Sequence, residues 1–283
     1  MHKDTYFKKK TTLNAGGKLI DLSTPKVMGI INTTPDSFFS ASRKQSVDEV
    51  LVQAGQMLQE GAAFLDLGAY STRPGAEDIS IQEETDRLLP AVEAIAEAFP
   101  EAILSIDTFR AEVAETAINA GAHIINDISG GQLDDHMFDT VARLQVPYVL
   151  MHTRGTPKTM TSLAQYDDVF QEVFNFLEEQ YSRLMQLRVH DVIIDPGFGF
   201  AKKQEHSYTL LNRLEEFSRL GLPVLAGMSR KRMIYGLTCT TANEALNGTT
   251  VVNTIALMKG ANILRVHDVK EAIEVVNIVN TLG

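Results

Sequence analysis

Eight short apolar runs recur along this chain, and a stretch of helical periodicity follows each of them. The runs lie at 27–31, 63–67, 103–107, 123–127, 148–152, 192–195, 223–227 and 263–266. The helical stretches begin near 46, 80, 110, 135, 167, 207, 241 and 268. In the first, Val47, Val50, Leu51, Ala54 and Leu58 keep a helical spacing that Gly61 ends. Ser46 with Glu49, Ser80 with Glu83, Thr241 with Glu244 and Asp268 with Glu271 have capping-box spacing and predict four helix starts. The 207–220 stretch reads as one helix. Apolar runs bounded by turn residues are strands buried on both faces, as in parallel sheets covered by helices. Parallel neighbours need right-handed crossovers. Eight such units in roughly 250 residues fit an α/β fold of one domain, the (β/α)8 or TIM barrel. An open doubly wound sheet would carry a glycine-rich turn after its first strand. Asn32-Thr33-Thr34-Pro35 stands there instead. Residues 1–26 are polar and contain glycine, and read as a leader with room for a short hairpin. Residues 27–283 read as the barrel, with no linker inside it.

Charge and cysteine usage narrow the function classes. A net charge of −10 argues against nucleic acid or an anionic membrane as the partner. It leaves a small anionic substrate open, because a few placed cations suffice. The one cysteine, Cys239, cannot form an internal disulfide, which suits a reducing cytoplasm. Lys8-Lys9-Lys10 is followed by polar residues rather than an apolar core, so no signal peptide is expected. No apolar run approaches the ~20 residues of a membrane span.

The sixth run, Val192-Ile193-Ile194-Asp195, ends on a carboxylate and meets Pro196-Gly197-Phe198-Gly199-Phe200. The carboxyl ends of buried parallel strands are where α/β proteins put their chemistry. Asp195 reads equally as a ligand-facing carboxylate and as a cap on its own Pro-Gly turn. The other strand ends carry Asn32, Asp66, Asp107, Asn126, His152, Ser229, Lys231, Arg265 and His267. In a barrel all would surround one mouth. Asp66 reads equally well as a turn stabiliser, His152 is better read as a hydrogen-bonded wall residue than as a metal ligand, and His267 could cap the last helix region through Asp268.

Asp107, Asn126, Asp195 and Lys231 together suit a flat heterocycle with several N–H and C=O groups. A carboxylate accepts two parallel N–H bonds from an amidine-like edge. Arg265 and His267, just before a helix, suit a phosphate. Asn32 offers an oxygen that could bring Mg²⁺ to it, since Mg²⁺ takes few protein ligands and keeps several waters. No Cys/His cluster has zinc spacing, and no phosphate-binding Gly-x-x-x-x-Gly-Lys motif occurs.

With these residues in view, the chain resembles the dihydropteroate synthases of folate biosynthesis from Val27 to its end. The resemblance rests on Gly29-Ile30-Ile31-Asn32-Thr33-Thr34-Pro35-Asp36-Ser37-Phe38 and on Ser71-Thr72-Arg73-Pro74-Gly75. It extends through Ser105-Ile106-Asp107-Thr108, Ile125-Asn126-Asp127, Asp195 to Phe200, Ser229-Arg230-Lys231 and Arg265-Val266-His267. It implies a transferase that joins 6-hydroxymethyl-7,8-dihydropterin pyrophosphate to para-aminobenzoate, releasing pyrophosphate. It implies a pterin held by Asp107, Asn126, Asp195 and Lys231. It implies a pyrophosphate held by Asn32, Arg265 and His267, with Mg²⁺ at Asn32. Phe38, Thr72, Arg73, Pro74, Phe200 and Lys231 would frame the aminobenzoate, and Asp36 and Arg73 would act from loops over the site. A cytoplasmic homodimer and a target of sulfonamides belong to the same expectation.

Three positions depart from the family pattern. Phe39-Ser40-Ala41-Ser42-Arg43 replaces the usual Ser-Asp-Gly continuation, Tyr70 stands where a glutamate is usual, and Arg232 replaces a common serine. An arginine at 232 could pair with the aminobenzoate carboxylate. Two other functions compete. A methyl transferase acting between a reduced folate and a corrinoid protein has no need of the Lys231, Arg265 and His267 set. A non-catalytic pterin-binding protein would explain the altered first loop, but not the retention of Asp107, Lys231 and Arg265.

Overall fold

The computed structural model describes residues 10–33, 43–70 and 78–282. It begins with an antiparallel hairpin of β1 (Thr12–Ala15) and β2 (Lys18–Asp21), in which Ala15 pairs with Lys18. Its two turn residues, Gly16 and Gly17, have φ of 59° and 80°. Two positive φ values are what a two-residue turn of this hand demands, and glycine adopts them without steric cost.

Eight parallel strands follow: β3 (Lys26–Asn32), β4 (Phe64–Gly68), β5 (Leu104–Asp107), β6 (Ile124–Asp127), β7 (Tyr148–Met151), β8 (Val192–Asp195), β9 (Leu225–Ala226) and β10 (Ile263–Val266). Their order is β8-β7-β6-β5-β4-β3-β10-β9, and a parallel bridge between Ile194 and Val224 joins the two ends. This is the α/β barrel that the alternation predicts. Around it lie α1 (Arg43–Gln59), α2 (Ile81–Ala98), α3 (Ala111–Asn119), α4 (Met137–Leu144), α5 (Val169–Gln186), α6 (Gln204–Asn212), α7 (Arg232–Thr238), α8 (Leu246–Met258) and α9 (Val269–Asn280). None of these helices is long and apolar enough to cross a membrane.

The two-residue period of the strands divides the core in two. Leu65, Leu67, Leu104, Ile106, Ile125, Leu150, Ile194 and Leu264 face the helices. Met28, Phe64, Ile103, Ile124, Val149, Ile193, Leu225 and Ile263 fill the barrel's floor, together with Leu13, Ala15 and Leu22 from in and beside the hairpin. The hairpin therefore plugs the bottom.

Several helix boundaries differ from the sequence expectation. Arg43, Lys44 and Gln45 are good helix formers, and α1 starts there rather than at Ser46. The expected 207–220 helix is two pieces, α6 and a 3₁₀ segment at Leu214–Leu220. Leu211, Leu214 and Phe217 are buried at three-residue spacing, which matches three residues per turn rather than 3.6. Glu244 accepts hydrogen bonds from Thr241 N and Oγ1, but this closes a separate turn, and α8 begins only at Leu246. Asp268 precedes α9 without capping it, because Arg230 takes both its carboxylate oxygens. Ser80 does cap α2, accepting from Glu83 N at 3.1 Å.

Candidate active site

Counting in twos up each strand from the apolar floor leads to the polar residues. Phe64 gives Asp66, Ile103 gives Ser105 and Asp107, Ile124 gives Asn126, Ile193 gives Asp195, and Ile263 gives Arg265 and then His267. These side chains share the barrel's interior face with the floor residues. Alternation makes one continuous inward surface apolar below and polar above.

Arg265 ties the collar together. Its Nε donates to Asp66 Oδ2 at 2.6 Å and its Nη2 to Asp107 Oδ2 at 2.6 Å. Asp66 is fully buried, and also accepts from Ser105 Oγ at 2.5 Å and Asn126 Nδ2 at 3.1 Å. Sequence patterns left open whether Asp66 merely steadied a turn. It is the buried anchor of the arginine. Burial works against the Arg265 charge, but Asp66 and Asp107 more than offset it and hold the guanidinium above the ordinary arginine value. Burial raises Asp107, and Arg265 opposes the rise. Arg265 Nη1 has no partner among the described residues, so donors remain for a ligand.

Two strands along from β10, at the end of β8, Asp195 Oδ1 accepts from Gly197 N at 2.7 Å. Both readings of this residue thus survive: one oxygen braces the turn and the other has no partner among the described residues. Burial raises the Asp195 carboxyl, while Lys231 and the Gly197 N–H act against the shift. Lys231 Nζ donates to Phe198 O at 2.7 Å and lies 4.7 Å from the Phe200 ring centre. Burial pushes Lys231 down to about 8, with Asp195 opposing. Arg230, between Ser229 and Lys231, secures this loop. Its backbone N–H donates to Thr249 Oγ1, and its side chain grips Asp268 and the carbonyls of Ala242 and Asn243.

His267 follows Arg265 at the mouth. Its Nδ1 lies 3.0 Å from Ser229 Oγ, and its backbone N–H donates to that oxygen at 3.2 Å. Burial pushes His267 down to about 4, so its ring is neutral at neutral pH. Asn32 ends β3 at the same mouth, exposed and with no side-chain partner among the described residues. Among those residues no group of three or more His, Cys, Asp or Glu could hold a metal ion. A single amide oxygen still fits Mg²⁺, whose remaining ligands are ordinarily waters and phosphate oxygens.

His152 is a hydrogen-bonded wall residue, as its sequence context suggests. It is buried, and its Nδ1 lies 2.9 Å from Lys202 Nζ. Lys202 is the site-proximal residue that sequence patterns missed, because its partner is 50 positions away. Tyr70 donates to Asp78 Oδ1 at 3.1 Å and packs edge-on against Phe109. Arg232 begins α7 and is exposed. Five sequence-predicted site residues, Asp36, Phe38, Thr72, Arg73 and Pro74, lie outside the described residues.

This geometry agrees with the chain's similarities. A family model described as a pterin-binding enzyme matches residues 28–267. The dihydropteroate synthase of Escherichia coli strain K12 is 45% identical over 269 residues, spanning 94% of this chain and 95% of that one. The chain belongs to the dihydropteroate synthase group of pterin-binding enzymes. It is accordingly an enzyme, a transferase. Among solved dihydropteroate synthases, that of Yersinia pestis with a sulfonamide drug superposes with a TM-score of 0.90 at 41% identity, covering 96% of this chain and 98% of that one. The Xanthomonas albilineans dihydropteroate synthase in complex with 7,8-dihydropteroate gives 0.85 at 35% identity, with the same coverage.

Proposed function

We propose that this transferase joins 6-hydroxymethyl-7,8-dihydropterin pyrophosphate to para-aminobenzoate, forming 7,8-dihydropteroate and pyrophosphate. The observation that carries the reading is the inward collar in which Asp107, Asn126 and Asp195 supply acceptors while Lys231 and Arg265 supply charged donors. The product bound in the Xanthomonas relative and the sulfonamide bound in the Yersinia relative have the chemistry that such a collar would recognise.

In this reading Asp195 accepts from the pterin's amidine-like edge through charge-assisted hydrogen bonds. Asn126 and Asp107 complete the ring's contacts, and Lys231 donates to a ring carbonyl or nitrogen. Arg265 and neutral His267 hold pyrophosphate oxygens, with Asn32 as the protein ligand of Mg²⁺. Bound there, Mg²⁺ would add positive charge beside the leaving group. The C–O bond to pyrophosphate breaks as positive charge grows on the carbon attached to the dihydropterin. Donors on the departing oxygens stabilise that cation-like transition state. The aminobenzoate nitrogen is uncharged at neutral pH and attacks the carbon directly as the C–O bond breaks, and one of its two protons passes to water or to the departing pyrophosphate. Positioning supplies the rest of the rate, and no covalent enzyme intermediate is needed. The resemblance gives Phe38, Thr72, Arg73, Pro74, Phe200 and Lys231 to the aminobenzoate, and Asp36 to the developing cation.

The deciding experiment follows pyrophosphate release by the purified protein with the dihydropterin pyrophosphate and Mg²⁺, with and without para-aminobenzoate. Release that requires the aminobenzoate, yields dihydropteroate and is blocked by a sulfonamide is the expected result. No release while the pterin still binds would overturn the reading in favour of a non-catalytic pterin binder. Full-rate turnover with all divalent metal chelated would remove the Mg²⁺ assignment alone.

A further inference from the structure

Lys202 and Lys231 both lie within electrostatic reach of Asp195, but their ammonium hydrogens are used differently. Lys231 gives one hydrogen to Phe198 O, which leaves others for a ligand. Lys202 Nζ has three protein partners: His152 Nδ1 at 2.9 Å, His152 O at 3.1 Å and Phe200 O at 3.1 Å. An ammonium has three hydrogens, so none is left over. Only 8% of Lys202 is exposed. It is a nearly buried lysine behind the Asp195 turn whose Nζ contacts all lie within the protein.

Its contacts all brace the turn after Asp195. His152 N donates to Asp195 O at 3.1 Å, fixing the end of β7 to the end of β8. The ring of His152 meets Phe176 edge-on, with centres 5.0 Å apart. Gly197 has φ +72°, and a Cβ there would lie 2.0 Å from His152 O and 3.2 Å from Lys202 Nζ. The His152 carbonyl therefore sits directly beneath the residue whose N–H braces Asp195, with no slack between them. Movement of Lys202 would release that carbonyl, the Phe200 carbonyl and the turn together.

We propose that Lys202 is a positioning residue for the pterin-binding carboxylate, a saturated ammonium behind the Asp195 turn that fixes its direction and keeps it a charged acceptor. The inference rests on the assignment of Asp195 to the pterin. The charges facing Asp195 are Lys231, Arg265 and Lys202, and all three favour its ionised form against the cost of burial. Those facing Lys202 are Asp195, which favours the ammonium, and Lys231 and Arg154, which disfavour it. Burial also pushes Lys202 well below its ordinary value, and Asp195 opposes the shift.

The test measures binding of 6-hydroxymethylpterin between pH 4 and 8, together with the KM of each substrate, for wild type, Lys202→Met, Lys202→Gln and Lys202→Arg. Wild-type affinity should fall as the pH drops through the Asp195 titration. In Lys202→Met that fall should move up by about one pH unit, equivalent to about a tenfold loss at a pH inside the window. The KM for the pterin pyrophosphate should rise while that for para-aminobenzoate stays put, and Lys202→Arg should restore the wild-type limb. A folded Lys202→Met enzyme with an unshifted limb overturns the proposal. If that variant does not fold, Lys202→Gln retains two donors without the charge and must show the same shift, and an unshifted limb there overturns the proposal equally. Wild type that binds no pterin, or binds it without an acid limb, overturns the Asp195 assignment first and this inference with it.

Discussion

Arg265 is gripped on two sides by carboxylates, and Asp66 has no solvent to fall back on. Removing one partner of a buried ion pair leaves the other charge uncompensated, which typically costs about 3–5 kcal/mol. Arg265→Ala should therefore lower stability by that amount in urea unfolding, as well as weaken the pyrophosphate-bearing substrate more than free pteroate. Stability within about 0.5 kcal/mol of wild type, the range of an ordinary surface change, would show that the pair contributes little. Lys231 gives a pH prediction with two opposite signs. Its pKa is about 8 in the folded protein, against 10.5 for a lysine free in water. Between those values the unfolded chain binds more protons, so this group makes stability rise with pH across the window. In the proposed role pterin affinity needs the ammonium and should fall above about pH 8. A Lys231→Met variant retaining that same alkaline fall would assign it to another group.

Among the elements, α7 shows where sequence reasoning stops. The eight strands are legible because each is an apolar run closed by a polar or turn residue. Between Ser229 and Thr241 the buried apolar residues are Met233 and Ile234, too few to show a period before Gly236. The face of each polar residue was equally hidden. Asp66 and Asp107 end similar runs, and only the barrel's alternation shows that both meet Arg265. Lys202 looks like a solvated lysine beside Lys203 until His152 arrives from another strand. The helix that went unseen begins with Arg232, exposed and directly after Lys231. Its guanidinium has no hydrogen-bond partner among the described residues, and in the proposed reaction it would be available to the aminobenzoate carboxylate. Arg232→Ser should raise the KM for para-aminobenzoate several-fold, roughly the 1 kcal/mol of an exposed ion pair, and leave the pterin KM unchanged. Equal changes in both constants would take Arg232 out of that role.

At the scale of the whole molecule, α8 and its neighbours carry exposed apolar residues that a polar surface would not require. Val251, Ile255 and Met258 lie along one side of α8 and are 52%, 37% and 67% exposed. Leu237 of α7 and Ile278 of α9 are exposed as well. The homodimer that the resemblance implies would cover them. Light scattering should then give twice the 31.2 kDa of the chain, and Val251→Glu with Ile255→Glu should return it to one. A wild-type monomer at micromolar concentration would dispose of the dimer.

The packed floor and the hairpin beneath it make the barrel a cup. A cup is filled and emptied from the same side. In the proposed reaction, whatever lies against Asp107 and Asp195 would have to arrive before anything that rests on Phe200 and the rim, and the two, once joined, would leave as one molecule. The β1–β2 hairpin, far from any reacting atom, would thereby help impose a queue on entry: innermost first.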